Sequence, residues 1–433
     1  MIILNEQFGY KNTGILLDIE EYSAILGGKK YNKSIQKGDN KSYCFNISHF
    51  ENDSNPYRFE TSYFVGVDWI VENKLPIYVQ PKLNNENTEI NYLKMLFEAL
   101  QQPENFNHLD QLCEINFDAP LISIKQEQDL LSPLLVVQYL HLLKKIVQKG
   151  LKKSYYPVVK NLNAKVKGKI LVNATIKGNH SKSKMLFNYC KYDEFGLNSI
   201  ENKVLKKALL FSQKAIQNLN GVDSKTLNGL FNYIQPAFIL IEDEIQIEEL
   251  KTIKPNPLYK EYDQALKLAK LILKRYGYTI SNTTTNKIQT PPFWIDMSKL
   301  FELYVYAKLK ERFPERGEVI YHKKFNYLEP DYILNSQKEN YKMVVDAKYK
   351  PQYRNGNVNT EDIRQVSGYA RLKSVYKHLN IDNRNEVIDC LIIYSEQSLE
   401  RNDLKEISLK SNEENNYVNF YKIGIKLPVL KEI

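Results

Sequence analysis

The sequence lacks three features that would place it in common functional classes. No run of about 18 or more apolar residues occurs, so no membrane-spanning helix is expected. None of the four cysteines belongs to a CxxC pair, which argues against a zinc knuckle or a disulfide framework and favours a reducing compartment. No GxxxxGK[ST] phosphate loop is present, so the chain itself is not expected to bind a nucleotide.

The N-terminal residues and the net charge further limit the possible functional classes of the protein. Asn5, Glu6 and Gln7 interrupt the apolar stretch that a signal peptide would need, and the expectation is a soluble, cytoplasmic protein. Lys and Arg number 60 against 51 Asp and Glu, which gives a net charge of +9. Such a balance favours a polyanionic partner such as nucleic acid, although a basic surface that only aids solubility is the alternative.

The first part of the chain is predicted to be rich in β-structure. The apolar runs at residues 63–70 and 75–82 are joined by a short polar segment, which is typical of a β-hairpin. Residues 1–90 are therefore expected to form a β-rich N-terminal region.

From about residue 91 the apolar residues recur at helical spacing. The strongest amphipathic runs are residues 134–147, 202–216, 227–241 and 262–276. One pair of short strands is expected near residues 168–175. Residues 91–290 are therefore predicted to form a mainly helical middle region.

A last domain is predicted to begin near residue 291. Residues 278–292 are rich in Ser, Thr and Asn and include Pro291-Pro292, a composition typical of a linker or an exposed loop. Beyond them the pattern predicts a helix, three strands, a helix and a strand, at 295–313, 319–324, 331–334, 341–347, 363–376 and 387–394. Residues 291–433 thus form a predicted αβββαβ domain of a multidomain α+β chain.

Two acids and a lysine are expected to converge in this domain. Pro330-Asp331 opens its second strand, and Asp346 and Lys348 end its third, so a hairpin brings Asp331 near Asp346. Residues two apart in a strand point to the same face, so Asp346 and Lys348 project together. The pattern is short and arises in unrelated chains, but here its two halves lie on adjacent predicted strands.

These residues have the chemistry of phosphodiester hydrolysis. The carboxylates of Asp331 and Asp346 are oxygen ligands for Mg²⁺, with Mn²⁺ as a substitute, and the cation stabilises negative charge in the transition state. Lys348 would orient the attacking water or help to deprotonate it. The sequence therefore predicts a Mg²⁺-dependent DNA endonuclease site of the PD-(D/E)xK type, with Asp346 where many such enzymes carry Glu.

Other residues flank this predicted site. Glu302, the only charged residue between Phe301 and Ala307, either faces solvent or joins the site as a third metal-binding carboxylate. Gln365 and Tyr369 share one helix face, from which they would contact the DNA backbone or brace the catalytic strand. The alternative for this pair is a solvated glutamine and a packing tyrosine.

A basic and aromatic segment follows the predicted catalytic lysine. It contains Tyr349, Lys350, Tyr353 and Arg354. Such interleaving is typical of a surface along which DNA runs, and Lys350 and Arg354 are the predicted DNA contacts. A solvated loop is the alternative.

The same residues resemble the nuclease half of the McrC family, the cleavage subunit of McrBC-type modification-dependent (type IV) restriction systems. Pro330-Asp331, Asp346-Ala-Lys348 and Gln365-Val-Ser-Gly-Tyr369 carry the resemblance. It extends upstream over segments at 77–82, 92–96, 166–170, 192–195 and 202–206, and so covers most of the chain. Residues 1–60 have no such counterpart.

The resemblance implies a C-terminal restriction-endonuclease-like domain with Asp331, Asp346, Lys348 and Gln365 in its site. The leading hypothesis adds Glu302, so that Glu302 and Gln365 support the two acids and the lysine. The resemblance also implies docking, through the N-terminal half, on an McrB-like AAA+ GTPase hexamer whose GTPase the chain stimulates. The implied substrate is double-stranded, modified DNA, cut in antiviral defence by a complex with two copies of this chain. A protruding N-terminal segment of the family enters the ring's pore; polar residues 29–41 are the candidate here, or else a disordered surface loop.

Two other functions are compatible with the sequence. The first is a non-cleaving DNA-binding protein that only activates the GTPase, and the intact set of Asp331, Asp346 and Lys348 argues against it. The second is an independent DNA repair nuclease without a motor. A neighbouring gene for an AAA+ GTPase would argue against that.

Overall fold

The computed structural model describes the chain except for residues 10–14, 17–19, 38–39, 51–56, 82, 86–87, 126–130, 218–224, 246–258, 282–286, 326–327, 351–358, 384, 398–403, 406, 415 and 433. The chain divides into two compact units. The first comprises Met1–Leu130, Gly221–Thr226 and Lys287–Ile433, and the second comprises Leu131–Asn220 and Leu227–Asn286. Both ends of the chain therefore belong to one unit.

The elements follow one another in this order. The first unit opens with β1 (Ile2–Asn5), β2 (Ile15–Leu16), α1 (Glu20–Leu26), β3 (Tyr31–Lys37), β4 (Asn40–His49), β5 (Tyr57–Thr61), β6 (Phe64–Val71), β7 (Leu75–Gln80), β8 (Leu83–Asn85), β9 (Thr88–Ile90), α2 (Tyr92–Ala99), a 3-10 helix (Pro103–Gln111), β10 (Cys113–Ile115) and β11 (Ile122–Lys125).

The second unit then supplies α3 (Leu131–Lys149), β12 (Ser154–Asn163), β13 (Lys169–Ile170), α4 (Val172–Gly178), a 3-10 helix (His180–Lys182), β14 (Phe187–Gly196), α5 (Ile200–Gln217), α6 (Lys225–Ile234), a 3-10 helix (Gln235–Phe238) and α7 (Lys260–Ser281). The chain returns to the first unit as β15 (Lys287–Thr290), β16 (Phe293–Asp296), α8 (Met297–Arg312), β17 (Val319–Tyr321), β18 (Tyr332–Ser336), β19 (Tyr341–Lys348), α9 (Thr360–Ala370), α10 (Lys373–His378), β20 (Asp389–Ser395), β21 (Phe420–Ile425) and β22 (Val429–Glu432). The predicted α+β class is confirmed.

The N-terminal part of the chain is built from sheets, as predicted. The expected hairpin is present, since β6 and β7 pair antiparallel with Val67 opposite Tyr78. These strands belong to a sheet of order β1-β7-β6-β16-β10, and a second sheet has the order β2-β5-β4-β3. In the segment predicted to enter a pore, residues 31–37 form the edge strand β3 rather than a disordered loop, while residues 38–39 lie outside the described residues.

The middle of the chain is mainly helical, as predicted, but it also contains a sheet that the sequence did not reveal. The ten-residue strands β12 and β14 pair antiparallel along their whole length. The strand pair expected near residues 168–175 is wrong in part, because β13 pairs with β14 and residues 172–178 form helix α4. Most side chains of β12 are only partly buried or exposed, which removes the strong apolar alternation that marks a strand in a sequence.

The linker expected at residues 278–292 is wrong for the residues that are described. Residues 278–281 are the last part of α7, and residues 287–290 form β15, which pairs antiparallel with β11. Pro291 and Pro292 are buried. Boundaries at residues 90 and 290 do not coincide with the edges of the two compact units, and the three-domain division stays a prediction.

The C-terminal residues form a five-stranded sheet of order β17-β18-β19-β20-β21. The predicted order of helix, three strands, helix and strand is present in α8 through β20, although the expected helix at 363–376 is divided into α9 and α10. The central strand β19 is buried along most of its length and lies between antiparallel β18 and parallel β20. Val344 packs in one apolar cluster with Ile363 and Val366 of α9.

Of the described helices, none combines the length and apolar character needed to cross a membrane.

A close strand contact in the first unit gives a testable prediction about stability. A Cβ atom at Gly66 would lie 2.0 Å from the backbone oxygen of Phe293 on the paired strand β16. Gly66→Ala should therefore lower the free energy of unfolding by about 1–3 kcal/mol, because the strands must separate to relieve the overlap. Thermal melting followed by circular dichroism measures the effect.

Gly368→Ala is the matched control for this substitution. A Cβ atom there meets nothing within 4 Å, and the residue lies inside helix α9. Alanine should raise stability by roughly 0.5–1 kcal/mol through helix propensity. An unchanged melting temperature for Gly66→Ala would contradict the close packing of β6 on β16.

Candidate active site

The pairing of β18 with β19 brings Asp331 and Asp346 together. Tyr332 lies opposite Val345 in this antiparallel pair, so Asp331, one residue earlier, lies beside Asp346. The backbone N–H of Ala347 donates a hydrogen bond of 2.8 Å to Asp331 Oδ2 and fixes that side chain. Asp346 is 1% exposed, whereas Asp331 is partly buried.

Lys348 lies on the same face of β19 as Asp346. Its Nζ is 2.8 Å from Asp346 Oδ2 and donates a hydrogen bond of 3.1 Å to Gln365 Oε1 on α9. Gln365 Nε2 donates in turn to the Tyr369 hydroxyl over 2.8 Å. Gln365 and Tyr369 therefore form a chain of hydrogen bonds that ends on the lysine, and whether they also contact DNA stays a prediction.

Burial and neighbouring charges change the ionisation of both acids. Removal from water raises the pKa of Asp331 well above its ordinary range, and the neighbouring Asp346 raises it further. Burial also raises the pKa of Asp346, although Lys348 opposes this effect. Two such carboxylates are stable together as anions only when positive charge is added beside them.

Lys348 keeps its ammonium form in this environment. Burial alone would lower the pKa of its side chain, but Asp346 and Asp331 outweigh burial and raise the pKa above its ordinary value. A lysine in this state donates hydrogen bonds and supplies a positive charge. It is suited to positioning a water molecule or a phosphate oxygen rather than to removing a proton.

Glu302 faces Asp331 and His322 rather than the solvent, and its role as a metal ligand stays a prediction. Its Oε2 accepts hydrogen bonds from Lys299 Nζ at 3.0 Å and from the Tyr321 hydroxyl at 3.2 Å, and His322 Nε2 lies 3.1 Å away. Burial by itself would raise the pKa of Glu302, but His322 and Lys299 lower it to about 2. The carboxylate is therefore charged at neutral pH.

Two observations fit a divalent cation at this position. Glu302, His322 and Asp331 each offer one ligand atom, and these atoms lie within 4.8 Å of one another. Asp346 Oδ1 is buried and accepts no hydrogen bond from the described residues, which leaves an anionic oxygen available to a metal. Of the predicted ligands, Asp331 and Glu302 belong to this cluster, together with His322, which sequence reasoning missed because no motif marks it. Asp346, the third predicted ligand, adjoins Asp331 across the strand pair.

Asp362 is a second residue that the sequence did not reveal. It is buried on α9, where Lys350 Nζ lies 2.7 Å from its Oδ2 and Lys348 Nζ lies 3.8 Å from its Oδ1. Lys350, predicted as a DNA contact, is therefore ion-paired with this acid. An acid in the first turn of a helix is normally attributed to its favourable interaction with the helix dipole. The sequence alone therefore gives no sign that Asp362 pairs with these lysines.

The remaining residues predicted to line a DNA path are placed differently. Tyr349 is 4% exposed and donates a hydrogen bond of 2.8 Å to Glu6 Oε1. It is therefore a packing residue of the first unit. Tyr353 and Arg354 lie outside the described residues, and the role of Arg354 stays a prediction.

The charge at Asp331 gives a prediction about stability. With its pKa raised, this carboxyl stabilises the fold at low pH, and the contribution is lost as pH rises through the folded-state pKa. Asp331→Asn keeps an acceptor for the Ala347 N–H and removes the repulsion with Asp346. In buffer with EDTA at pH 8 the variant should melt roughly 2–4 °C above wild type, with a smaller difference at pH 5.

Asp389→Asn is the control at the opposite end of the sheet. Asp389 pairs with Lys410 over 2.6 Å, so this substitution breaks a favourable ion pair and should lower the melting temperature. If Asp331→Asn also lowered it at pH 8, the carboxylate at Asp331 would be stabilising, contrary to the electrostatics described above.

Comparisons with known proteins place the chain in a family. The model of a family described as "McrBC 5-methylcytosine restriction system component" matches residues 61–381. Comparison with curated proteins gave no match.

Two solved structures are similar to this chain at low identity. A refined half-complex from a tetradecameric assembly of Thermococcus gammatolerans McrB AAA+ hexamers with bound McrC matches at 14% identity and a TM-score of 0.38, covering 99% of this chain and 95% of that chain. The Thermococcus gammatolerans McrBC complex matches at 14% identity and a TM-score of 0.27, covering 72% and 88%.

The family match spans well over half of the sequence and includes Asp331, Asp346, Lys348 and Gln365. It confirms the resemblance recognised in the sequence. The chain belongs to the McrBC 5-methylcytosine restriction system family.

Proposed function

We propose that this chain is the DNA-cleaving subunit of an McrBC-type restriction complex in antiviral defence and hydrolyses phosphodiester bonds with Mg²⁺. One observation carries the proposal. Asp331, Asp346 and Lys348 converge at one end of the C-terminal sheet, and Gln365 holds the lysine in place. Two adjacent acids, one buried and one partly buried, destabilise a fold, so a functional role explains their presence better than a structural one.

The carboxylates supply the metal site of this proposal. Asp331, Asp346 and Glu302 would hold Mg²⁺, or Mn²⁺ in its place. The bound cation would polarise the phosphate and lower the pKa of a bound water. The Ala347 N–H fixes Asp331, and β19 fixes Asp346, so the ligands are positioned before a cation arrives.

Lys348 would act on the water and the phosphate. Its retained ammonium orients the nucleophile and offsets negative charge that develops on the phosphate oxygens. Gln365 fixes where that ammonium lies. Around it Gln365, Tyr369, Lys350 and Arg354 are the proposed DNA contacts, and for Lys350 this requires exchange of its Asp362 partner for a phosphate.

An AAA+ GTPase hexamer is the proposed partner. In the Thermococcus gammatolerans assembly, McrB AAA+ hexamers carry bound McrC. The present sequence has no phosphate loop of its own, so GTP hydrolysis would be performed by another chain. Cutting both strands of modified, double-stranded DNA would take two copies of this chain.

Cleavage of methylated plasmid tests the proposal. The full chain, its neighbouring AAA+ GTPase, GTP and Mg²⁺ should linearise the plasmid. Asp346→Ala and Lys348→Met should each lower the rate at least about 100-fold, because each removes charge stabilisation in the transition state. Asp382→Asn, which changes an exposed acid of the same unit, is the matched control and should cut normally.

The other outcomes separate the rival functions. Stimulated GTPase activity with intact plasmid would support the non-cleaving activator. Cleavage by the chain alone, without partner or GTP, would support an independent nuclease. Cleavage retained by both Asp346→Ala and Lys348→Met would remove the proposed site from the reaction.

Gln365 can be assigned to bracing or to DNA contact by its own substitution. Gln365→Ala releases the Lys348 ammonium and should lower the single-turnover rate by about tenfold. DNA affinity, measured with Ca²⁺ in place of Mg²⁺, should stay within about twofold of wild type if the role is bracing. Gln365→Glu keeps an acceptor for Lys348 and should retain more activity than alanine. A loss confined to DNA affinity would assign Gln365 to the DNA contact instead.

A further inference from the structure

The side chain of His322 is held at the edge of the metal site by an unusual backbone conformation. His322 follows β17 with φ of +49°, and its backbone N–H donates a hydrogen bond of 2.9 Å to the Asp331 carbonyl. A non-glycine residue in this left-handed region is strained. The strained turn places the imidazole next to Asp331 and Glu302.

The two ring nitrogens of His322 have different environments. Nδ1 lies 3.1 Å from Glu329 Oε1, and a carboxylate can only accept, so Nδ1–H donates to it. Nε2 points instead at the site, 3.1 Å from Glu302 Oε2. A carboxylate behind one imidazole nitrogen fixes the ring and its tautomer, and leaves the other nitrogen as a metal ligand.

A positive charge already lies between Glu302 and His322. Lys299 Nζ is 3.0 Å from Glu302 Oε2 and 3.1 Å from His322 Nε2, and it is held there on α8 with little exposure. Nε2 thus lies beside an ammonium, which only donates, and beside the Glu302 carboxylate, which only accepts. A metal cation that took the place of this ammonium would meet Glu302 Oε2 and, with Nε2 deprotonated, the Nε2 lone pair together.

Asp346 gives an independent indication that a cation belongs here. Its Oδ1 is buried and receives no hydrogen bond from the described residues. The site thus combines carboxylate oxygens with one imidazole nitrogen. Mg²⁺ is a hard ion that favours oxygen ligands, whereas an imidazole nitrogen favours first-row transition ions.

We infer that His322 is a metal ligand and that it makes the centre a mixed oxygen and nitrogen site which binds Mn²⁺ more tightly than Mg²⁺. This inference rests on the proposed cleavage centre and states in addition which metal ion that centre prefers. Glu329 is the positioning residue that orients the ligand, and Lys299 competes with the metal for Glu302 and His322.

Pulsed electron paramagnetic resonance of Mn²⁺ bound to the full chain tests the inference. Wild type should show coupling of the Mn²⁺ electrons to a directly bound ¹⁴N nucleus, and His322→Gln should lose it. Calorimetric titration should show Mn²⁺ affinity reduced at least about tenfold in His322→Gln, with Mg²⁺ affinity within about twofold. His180→Gln, in the second unit, is the matched histidine control and should behave as wild type.

A second variant keeps the test informative if His322→Gln does not fold. Glu329→Gln keeps the ring but weakens its orientation, so the ¹⁴N coupling should persist with Mn²⁺ affinity several-fold lower. Melting in EDTA checks the fold of each variant.

The outcomes distinguish this inference from the proposed function. If Mn²⁺ binding depends on Asp331 but shows no ¹⁴N coupling, His322 is only an ion-pair partner. That result would overturn the inference and leave the proposed function standing. Mn²⁺ binding that is unchanged in Asp331→Asn would overturn both the inference and the proposed metal centre. A ¹⁴N-coupled Mn²⁺ in a protein that never cleaves DNA would uphold the inference and reject the proposed function.

Discussion

The placement of Asp331 and Asp346 side by side, largely withdrawn from water, is the constraint on which the first unit depends. Polar side chains of the neighbouring elements surround these acids. Strand β19 contributes Lys348, and α9 contributes Gln365. Lys299 of α8 and His322 at the end of β17 contact Glu302. The Tyr332 hydroxyl donates to the Glu302 carbonyl and joins α8 to β18. Among the described residues no group donates a hydrogen bond to the buried Asp346 Oδ1, which is the observation that motivates the proposed metal centre.

The same unit physically joins the N-terminal sheets to this site. Strand β16 pairs with β6 and leads directly into α8, whose first turn is capped by Asp296 through the Lys299 N–H. At the other end of the site, Tyr349 follows β19 and donates its hydroxyl hydrogen to Glu6, next to β1. The residues on either side of the acids are therefore anchored in N-terminal structure. This explains why both chain ends belong to one compact unit.

Sequence periodicity predicted the local elements of the C-terminal sheet because its strands are strongly apolar and its motif sits at their ends. Asp331, Asp346 and Lys348 could be found in this way, since strand spacing and one hairpin bring them together, whereas spacing left Gln365 open between the site and the solvent. His322, Lys299 and Asp362 could not, because their roles arise from a left-handed turn and from contacts between elements distant in sequence. For the same reason the pairing of β16 with β6 was hidden, and residues 278–292 were mistaken for a linker although described parts of them are helix and strand.

The most direct test of a DNA-cleaving metal centre is anomalous X-ray scattering from Mn²⁺ in a complex of the Lys348→Met chain with uncut DNA. One strong anomalous peak is expected, contacted by Asp331, Asp346 and a phosphate oxygen of the DNA. A phosphate bound elsewhere, or Mn²⁺ found away from these carboxylates, would contradict the proposed metal centre.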